Sequence, residues 1–361
     1  MATNGVNGSG PRGTMKAQQI DHRDLKVHLN EVPIPSPDEN QILVKIICAS
    51  LCHSDIMVFE PNEAMSYPDQ PITLGHEATG QIVELGPNVK GFNVGDKVGF
   101  LPAMNVCYEC MPCKTVHNLW CENSQPKMQG FALDGFFAEY AVVDYHNAIV
   151  LPEKMDPVSA APLFCAGVTA FHAIDDLKLE QGSWVAVIGC GGLGLLGIKY
   201  AKAMGYRVIA LDVNKGALEV AKNSGAEYVF DTSAATTDDG TNYIQRILSL
   251  TNNGVDAAVN FTASKKAYDA MPSIIRPGRG IFMVVGIPQQ PLEINAYDIA
   301  LGRYRVMGAN NGMCYNMKKA IDFSAEHDIV SHVEYFSLEE LPVMVEKMQQ
   351  HKAVGRMAVK F

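Results

Sequence analysis

Residues 184–205, WVAVIGCGGLGLLGIKYAKAMG, decide the fold class of this chain. The apolar run WVAVIG predicts a β-strand that leads into the turn Gly189-x-Gly191-x-x-Gly194, and the stretch after the turn has the composition of a helix. In this setting the first glycine permits a tight turn, the second lets the backbone approach a pyrophosphate, and the third allows the helix to pack closely on the strand. The helix amino terminus adds N–H donors and the positive end of its dipole. The segment therefore predicts a dinucleotide-binding turn.

The region around this turn repeats the same alternation of strand and helix. From about Gly182 to Ala309, β-rich segments alternate with helix-length stretches; the segments are WVAVIG, YRVIALD, AEYVF, GVDAAVNF, GIFMVVG and YRVMGA. Six strands joined by crossovers predict an α/β domain with a doubly wound parallel sheet of the Rossmann type. We place this coenzyme domain at residues 167–309.

A carboxylate follows the second of these strands. Asp212 stands where the acidic residue of a dinucleotide site accepts hydrogen bonds from the adenosine ribose hydroxyls, and its charge would repel a 2′-phosphate. The sequence therefore predicts NAD rather than NADP, although Lys215 is a basic residue close by. Gly192 and Leu193 at the helix start, Lys215, and Val285 after the GIFMV strand are further predicted cofactor contacts. The alternative is a glycine-rich packing corner in another α/β protein.

The rest of the chain has a different pattern. From about Met15 to Val150, short β-type runs are separated by Gly, Pro, Asn and Asp, which predicts mostly sheet and loop. The segment from Asn310 onward holds two helical stretches and the strand-like MAVKF, and we expect it to fold back on the first half. The predicted domains are a catalytic domain at 15–166 and 310–361, the coenzyme domain at 167–309, and a flexible polar tail at 1–14.

Four cysteines lie within one loop, at Cys107, Cys110, Cys113 and Cys121. Four thiolates at this spacing can close a tetrahedral zinc site, and a closed site leaves no position for substrate, so this zinc would be structural. The alternative is two disulfides, which a reducing compartment and the strain of bridging such near neighbours disfavour.

A second set of potential ligands is spread along the chain. Cys52 begins the segment Cys-His-Ser-Asp, His76 and Glu77 follow further on, and Cys165 lies just before the coenzyme domain. Taken singly, each has an ordinary interpretation as a buried packing residue. Taken together, they supply two sulfur donors, one nitrogen donor and a nearby carboxylate. Three protein ligands and one open position are what a catalytic zinc requires.

Composition excludes several classes of function. The chain has 361 residues, 47% of them hydrophobic, and a formal net charge of −10. The acidic balance argues against nucleic-acid and anionic-membrane partners, because both need a basic face. The longest uncharged apolar run, residues 184–198, is shorter than the ~20 residues that cross a bilayer, and the amino terminus has no targeting pattern. We therefore expect a cytoplasmic protein.

At this point the residues resemble a known family, the zinc-dependent medium-chain alcohol dehydrogenases, and most closely its yeast-type members. The motif Gly75-His76-Glu77-x2-Gly80-x5-Gly86-x2-Val89, the four-cysteine loop and the glycine turn with Asp212 carry the resemblance, which runs from about Met15 to the end of the chain. It implies a mostly-β GroES-like catalytic domain beside the Rossmann domain, two zinc ions per chain, NAD, a small alcohol or aldehyde substrate, and a homodimer or homotetramer.

The resemblance also implies roles for single residues. Cys52, His76 and Cys165 would bind the catalytic zinc, Glu77 would enter its coordination sphere transiently, and Asp55 would orient the imidazole of His76. The hydroxyl of Ser54 would accept the alcohol proton, while His53 and Arg356 would contact the NAD pyrophosphate from opposite sides. Ser54, Asp55 and Glu77 would thus be catalytic residues, and His53 and Arg356 would bind the cofactor.

Two departures from the family pattern carry hypotheses. The position of the histidine that ends the proton relay in many relatives holds Met57, and a thioether cannot carry a proton. The tryptophan that narrows the yeast-type pocket is replaced by Pro102, and the segment between the first two zinc ligands offers Phe59, Met65 and Tyr67. We expect a roomier apolar pocket that favours long, branched or aromatic alcohols over ethanol.

Other functions remain open on the sequence. A reductase acting mainly on an aldehyde or ketone would use the same residues in reverse. A zinc-free quinone or enoyl reductase should lack the metal ligands, all of which are present here. A non-catalytic nucleotide-binding structural or sensor protein should have lost a ligand or Ser54, and neither is lost. The apolar strands GIFMVVG and YRVMGA are the candidates for pairing between subunits.

Overall fold

The computed structural model describes residues 10–59, 70–309, 314–350, 352–353 and 355–361. The chain forms two compact units: the first contains Met1–Cys165, Met313–Glu326 and Val330–Phe361, and the second contains Ala166–Gly312 and His327–Ile329. These borders differ by one to three residues from the predicted ones. The exception is residues 327–329, which belong to the second unit although the prediction placed them in the catalytic domain. Residues 1–9 of the predicted tail lie outside the described residues, and the first strand begins at Thr14.

The second unit is an α/β domain, as the sequence predicts. Its strands are β11 (Trp184–Ile188), β12 (Arg207–Asp212), β13 (Tyr228–Asp231), β14 (Ala257–Asn260), β15 (Gly280–Val284) and β16 (Tyr304–Gly308). They form one parallel sheet in the order β13-β12-β11-β14-β15-β16. Its helices are α4 (Ala166–Asp175), α5 (Gly192–Ala203), α6 (Lys215–Ser224), α7 (Tyr243–Thr251), α8 (Lys265–Ala270) and α9 (Ala296–Ala300).

This strand order reverses direction between β11 and β14, the point at which ligands bind in doubly wound sheets. All five residues of β11 are buried, which explains why its sequence is continuously apolar rather than alternating. Gly225 ends α6 in the left-handed region, where glycine has no Cβ penalty. The predicted doubly wound Rossmann sheet is confirmed.

The first unit is mostly β-structure, again as predicted. Its strands are β1 (Thr14–Asp21), β2 (Lys26–Pro33), β3 (Gln41–Leu51), β4 (Ile72–Thr73), β5 (Glu77–Leu85), β6 (Lys97–Phe100), β7 (Ala103–Met104), β8 (Lys127–Met128), β9 (Tyr140–Asp144), β10 (Ala148–Val150), β17 (Val333–Phe336) and β18 (Arg356–Lys360). Its helices are α1 (His53–Ile56), α2 (Met111–Thr115), α3 (Pro157–Ala160), α10 (Cys314–Glu326) and α11 (Leu341–Gln349).

The largest sheet of this unit joins the two ends of the chain. Seven strands pair in the order β10-β6-β5-β3-β18-β17, with β9 also paired to β3. Strand β18 lies antiparallel to β3, so the carboxyl-terminal segment folds back on the first half as predicted. The central strand β3 places Ile42, Val44 and Ile46 in the core of the unit, where burial of apolar side chains is the main stabilising term.

Among the described residues, no single helix is both long enough and apolar enough to cross a membrane; only a bent pair, residues 157–164 and 166–175, reaches that length and composition when joined.

Candidate metal and cofactor sites

All nine cysteines are free thiols. Six of them, together with His76 and Glu77, gather into two clusters. In each cluster the ligand atoms lie within 4.8 Å of one another. The first cluster consists of Cys107, Cys110, Cys113 and Cys121, and the second consists of Cys52, His76, Glu77 and Cys165. The two sets that the sequence predicts as metal ligands are therefore the sets that the fold brings together.

The four-cysteine loop is built from backbone turns rather than from a sheet. Helix α2 begins just after Cys110, and the N–H groups of Glu109 and Cys110 donate to Cys107 Sγ at 3.5 and 3.4 Å. Such donors stabilise a thiolate more than a thiol. Burial opposes ionisation of Cys121, but hydrogen bonds from Ser124 and from backbone N–H groups lower its pKa to about 6. This sulfur-only donor set fits a closed tetrahedral zinc site.

One residue inside the loop has an unusual backbone. Tyr108 has φ +58°, in the left-handed region that a bulky side chain rarely adopts. Its hydroxyl donates to Asp144 Oδ2 at 2.7 Å and accepts from Asn147 Nδ2 at 2.8 Å, and its ring stacks on His146 at 4.6 Å between centroids. These contacts fasten the loop to the end of β9, and they offset the cost of the backbone conformation.

The second cluster is assembled from three separate stretches. Cys52 follows the end of β3, His76 and Glu77 lie where β5 begins, and Cys165 follows a 3₁₀ turn at residues 161–164. All four side chains are buried. Because β3 and β5 are antiparallel neighbours, the end of one and the start of the other meet at the same edge of the sheet.

Asp55 has the position that the resemblance implies. Its Oδ1 lies 2.6 Å from His76 Nδ1, and its Oδ2 accepts a hydrogen bond from the Cys52 backbone N–H at 2.8 Å. The carboxylate is fully buried on α1. It fixes the imidazole so that Nε2 is left for a metal, as ligating histidines generally require.

Glu77 is held by one of its two carboxylate oxygens. Its Oε2 accepts hydrogen bonds from Ser50 Oγ and from Arg356 Nη2. Its Oε1 is buried and has no hydrogen-bond partner among the described residues. Arg356, predicted as a pyrophosphate contact, is 3% exposed and is paired with Glu77, so its contact with NAD stays a prediction.

The ionisation of this cluster follows from burial and from close opposite charges. A hydrogen bond from Cys165 and the positive field of Arg356 lower the pKa of Cys52 well below its usual value, against the effect of burial. The same hydrogen bond and burial raise the pKa of Cys165. Burial raises the pKa of Glu77 to about 7, although Arg356 acts in the opposite direction. A bound cation would stabilise the ionised forms of Cys52, Cys165 and Glu77.

These residues fit a zinc ion on their chemistry and spacing. Zinc binds sulfur at ~2.3 Å and nitrogen at ~2.0–2.1 Å, so ligand atoms around one ion lie less than ~4.8 Å apart. The donors of the second cluster meet this condition. The unpartnered Oε1 of Glu77 is a further sign, because buried polar atoms are normally satisfied.

The remaining residues predicted near this cluster lie on α1 and its surroundings. Ser54 Oγ is 3.9 Å from Cys52 Sγ and is partly exposed, whereas His53 is exposed at the start of the helix. The ring of Phe131 lies 5.1 Å from that of His76, which places an aromatic side chain against a ligand. Met65 and Tyr67, predicted to line the pocket, lie outside the described residues.

The glycine turn of the second unit has the geometry that its sequence predicts. Gly189 has φ +88°, and a Cβ at Gly194 would lie 1.7 Å from the carbonyl oxygen of Gly189. A Cβ at Gly191 would meet no atom within 4 Å, so the backbone is open there to a ligand. Gly192 and Leu193 open α5, whose N–H groups are oriented toward the same space.

The carboxylate of Asp212 is fixed beside this turn. Its Oδ2 accepts from the Cys190 N–H at 2.6 Å, and its Oδ1 accepts from the N–H groups of Val213 and Asn214 at 2.7 and 2.8 Å. Lys215 is exposed as the first residue of α6. Val285, which follows β15, is buried.

Three residues of these sites were not found by sequence reasoning. Ser50 is recognisable only through the register that sets it opposite Glu77. Tyr108 lies between two predicted ligands, but neither its left-handed backbone nor its partner Asp144 has a sequence signal. Phe131 follows Gly130 in a loop and has no pattern that marks it.

Comparisons with known proteins agree with these sites. The family model described as "Alcohol dehydrogenase GroES-like domain" matches residues 38–153, and the one described as "Zinc-binding dehydrogenase" matches residues 192–326. An alcohol dehydrogenase of Geobacillus stearothermophilus is 33% identical over 346 residues, which cover 96% of this chain and 99% of the relative. An alcohol dehydrogenase of Rhizobium meliloti (strain 1021) is 31% identical over 346 residues, covering 96% and 98%. The solved alcohol dehydrogenase of Aeropyrum pernix has a TM-score of 0.84 and 27% identity, and covers 96% of this chain and 100% of that one.

Proposed function

The chain belongs to the zinc-dependent medium-chain alcohol dehydrogenases, and we propose that it acts on medium-sized or bulky apolar and aromatic alcohols in preference to ethanol. It is an alcohol and aldehyde oxidoreductase whose cofactors are zinc and NAD. The observation that carries the assignment as a zinc oxidoreductase is the buried cluster of Cys52, His76, Glu77 and Cys165, to which Asp55 is hydrogen-bonded.

Cys52, His76 and Cys165 would hold the catalytic zinc, and the four cysteines of the loop would hold the structural one. When bound, the catalytic zinc supplies Lewis acidity, which lowers the pKa of an alcohol hydroxyl. Asp55 fixes the tautomer and direction of the His76 ring through its 2.6 Å contact. Burial of the four cluster side chains limits the access of bulk water to the site.

The proton of the alcohol passes to the hydroxyl of Ser54. This side chain is partly exposed and lies beside Cys52, so it can both receive a proton near the metal ligands and pass it outward. Met57, one turn later, is 38% exposed and cannot continue the transfer. We infer that solvent takes the proton from this point.

The choice of NAD rests on the surroundings of Asp212. A carboxylate has about four lone-pair positions, and three N–H groups occupy three of them. Oδ2 therefore retains capacity for a ribose hydroxyl, while its charge repels a 2′-phosphate. Gly191 supports the same proposal, because the space over its backbone is open to a pyrophosphate.

The proposed preference for larger substrates rests on two residues, Pro102 and Phe131. Pro102 replaces the tryptophan that narrows the pocket of yeast-type relatives, and Phe131 packs on His76 at 5.1 Å between centroids. An aromatic ring at this position offers stacking contacts to an aromatic alcohol, which ethanol cannot use.

A panel of alcohols tests these proposals together. We expect kcat/KM for benzyl and cinnamyl alcohols to exceed that for ethanol with NAD⁺, and NADP⁺ to support much slower turnover. Zinc determination on the same sample should find two ions per chain. A clear preference for ethanol would contradict the substrate proposal, while turnover without zinc would contradict the assignment of the buried cluster.

The physiological direction and the assembly are separate proposals. Run in reverse, the same residues reduce an aldehyde or ketone with NADH, and kcat/KM measured in each direction compares the two roles. We propose a homodimer or homotetramer that uses the edge strand β16, whose Val306 is exposed, as are Leu301 and Tyr297 before it. Light scattering of Val306→Lys beside the unchanged chain tests this interface. The cytoplasmic location and the yeast-type subdivision stay predictions.

A further inference from the structure

Ser50 is a fully buried hydroxyl at the centre of the sheet of the first unit. In the antiparallel ladder of β3 and β5 it stands directly opposite Glu77, and on its other side it is paired with Ala358 of β18. Directly opposed residues have Cβ atoms ~4.5–5.5 Å apart. The strand register alone therefore brings the Ser50 hydroxyl to the Glu77 carboxylate, to which it donates.

Ser50 and Arg356, which both donate to Glu77, differ in how far they can move with its carboxylate. Arg356 starts β18 and reaches Oε2 through a long side chain, whereas Ser50 has a single rotatable bond on a central strand. If the carboxylate turns or shifts, the guanidinium can move with it, but the serine hydroxyl cannot. The bond to Ser50 is thus the contact that resists movement of Glu77.

The other oxygen of Glu77 is in the opposite situation. Oε1 is buried without a hydrogen-bond partner among the described residues, and one oxygen of Glu77 lies within 4.8 Å of the ligand atoms of Cys52, His76 and Cys165. An unsatisfied buried acceptor is costly, and a bound cation would satisfy it. The carboxylate is therefore held back by one oxygen and available to a metal through the other.

We propose that Ser50 is a positioning residue for Glu77: by holding Oε2, its hydroxyl sets how often Glu77 enters the coordination of the metal bound by Cys52, His76 and Cys165. This inference rests on the proposed function, because it requires a metal at that cluster. Ser50 itself touches neither substrate nor cofactor, and it acts only through the carboxylate.

Cobalt substitution provides a readout that does not depend on turnover. Co²⁺ replaces zinc in the whole protein, and its visible absorption changes in position and loses intensity when a further oxygen ligand is added. In Ser50→Ala, Glu77 loses one hydrogen bond to its charged group, so the coordinated population should rise about tenfold. The spectrum should shift toward higher coordination, and release of the metal to a chelator should slow by a smaller factor, because the form without bound Glu77 still releases it. The four-cysteine loop contributes equally in all variants, because none of them alters it.

Thr79→Val is the matched control. Thr79 lies on β5, is fully buried like Ser50, and donates its hydroxyl to the Pro157 carbonyl at 2.6 Å rather than to Glu77. The valine variant loses a comparable buried hydrogen bond, so it should lose stability but keep the spectrum of the unchanged protein. Ser50→Thr retains a hydroxyl and should also keep that spectrum.

A double-mutant cycle separates positioning from general loosening of the sheet. In a Glu77→Gln background, Ser50→Ala should produce no further change in spectrum or release rate. An equal change in both backgrounds, or no change from Ser50→Ala alone, would overturn the proposal while leaving the proposed function in place. If Cys165→Ala leaves the cobalt content and the sulfur-to-cobalt charge-transfer absorption as they are in the unchanged protein, the proposed function fails instead.

Discussion

The four-cysteine loop takes all its ligands from residues 107–121, whereas the buried cluster collects its ligands from three distant stretches of chain. The loop has exposed apolar side chains around it, with Met111 69% and Trp120 68% exposed, and two of its four ligands, Cys107 and Cys121, are only partly buried. The second cluster is buried at every ligand and surrounded by Asp55, Ser50 and Arg356. The loop site stabilises the segment that supplies its ligands. The buried cluster depends on the fold of the whole unit, and it includes a carboxylate, Glu77, with one oxygen that has no hydrogen-bond partner among the described residues.

The strongest way to sharpen this comparison is to remove one ligand from the buried cluster. We expect Cys165→Ala to lose one zinc per chain and to lower alcohol turnover by about 10³-fold or more, because Lewis-acid stabilisation is worth several kcal/mol. Metal analysis and steady-state kinetics measure both effects.

Cys48→Ala is the control for this loss of a buried thiol. Cys48 is fully buried on β3, and the structure places it in neither cluster. Its replacement should leave turnover within a few-fold of the unchanged protein. If Cys48→Ala reduced turnover as much as Cys165→Ala, packing rather than metal binding would explain both results.

The corresponding change in the loop should act on stability instead. Cys113→Ser removes one of the four thiolates that the loop brings together, so we expect the free energy of unfolding to fall by about 3 kcal/mol or more. Urea denaturation measures the loss, and Met111→Ser in the same loop should cost within ~0.5 kcal/mol because that side chain is exposed. An unchanged midpoint in Cys113→Ser would show that the loop is held without its metal.

The anchor of the loop offers a smaller test. Tyr108→Phe removes the phenol donor of Asp144 and one of the two acceptors of the Asn147 amide, which should cost about 1–3 kcal/mol. We also expect faster release of the loop zinc to a chelator. Tyr268→Phe is the control, because Tyr268 is a buried tyrosine that donates to the Gly286 carbonyl in the other unit. It should cost similar stability without changing zinc release.

The same contrast explains what could be predicted from the sequence. The loop ligands and the glycine turn were predictable because their chemistry is encoded by spacing within a few residues, and the parallel strands because their apolar runs alternate with helices. The convergence of Cys52, His76 and Cys165 depends on how β3 and β5 pair, which spacing alone does not give. Their donor types indicated a catalytic zinc site, and the family resemblance implied that they are its ligands. The roles of Ser50 and Tyr108 depend on register and on a left-handed backbone, neither of which leaves a signal in residue type.

The smallest expected effect concerns how the buried site communicates with solvent. Ser54 is partly exposed and passes its proton directly to solvent, because Met57 lies at the surface without a group that can carry one. We therefore expect proton release to limit alcohol oxidation at low pH. Met57→His should speed oxidation near neutral pH by less than the ~100-fold that a group in direct contact supplies.

The pH profile decides whether the new imidazole acts as a relay. A solvated histidine has a pKa of ~6.5, so it accepts a proton only while neutral, and the gain should shrink as the pH falls below that value. Met111→His adds an exposed imidazole in the four-cysteine loop and should leave kcat unchanged at every pH. A pH–rate profile of Met57→His that coincides with that of the unchanged protein would refute the relay, and it would mean that Ser54 already delivers the proton to water faster than hydride is transferred.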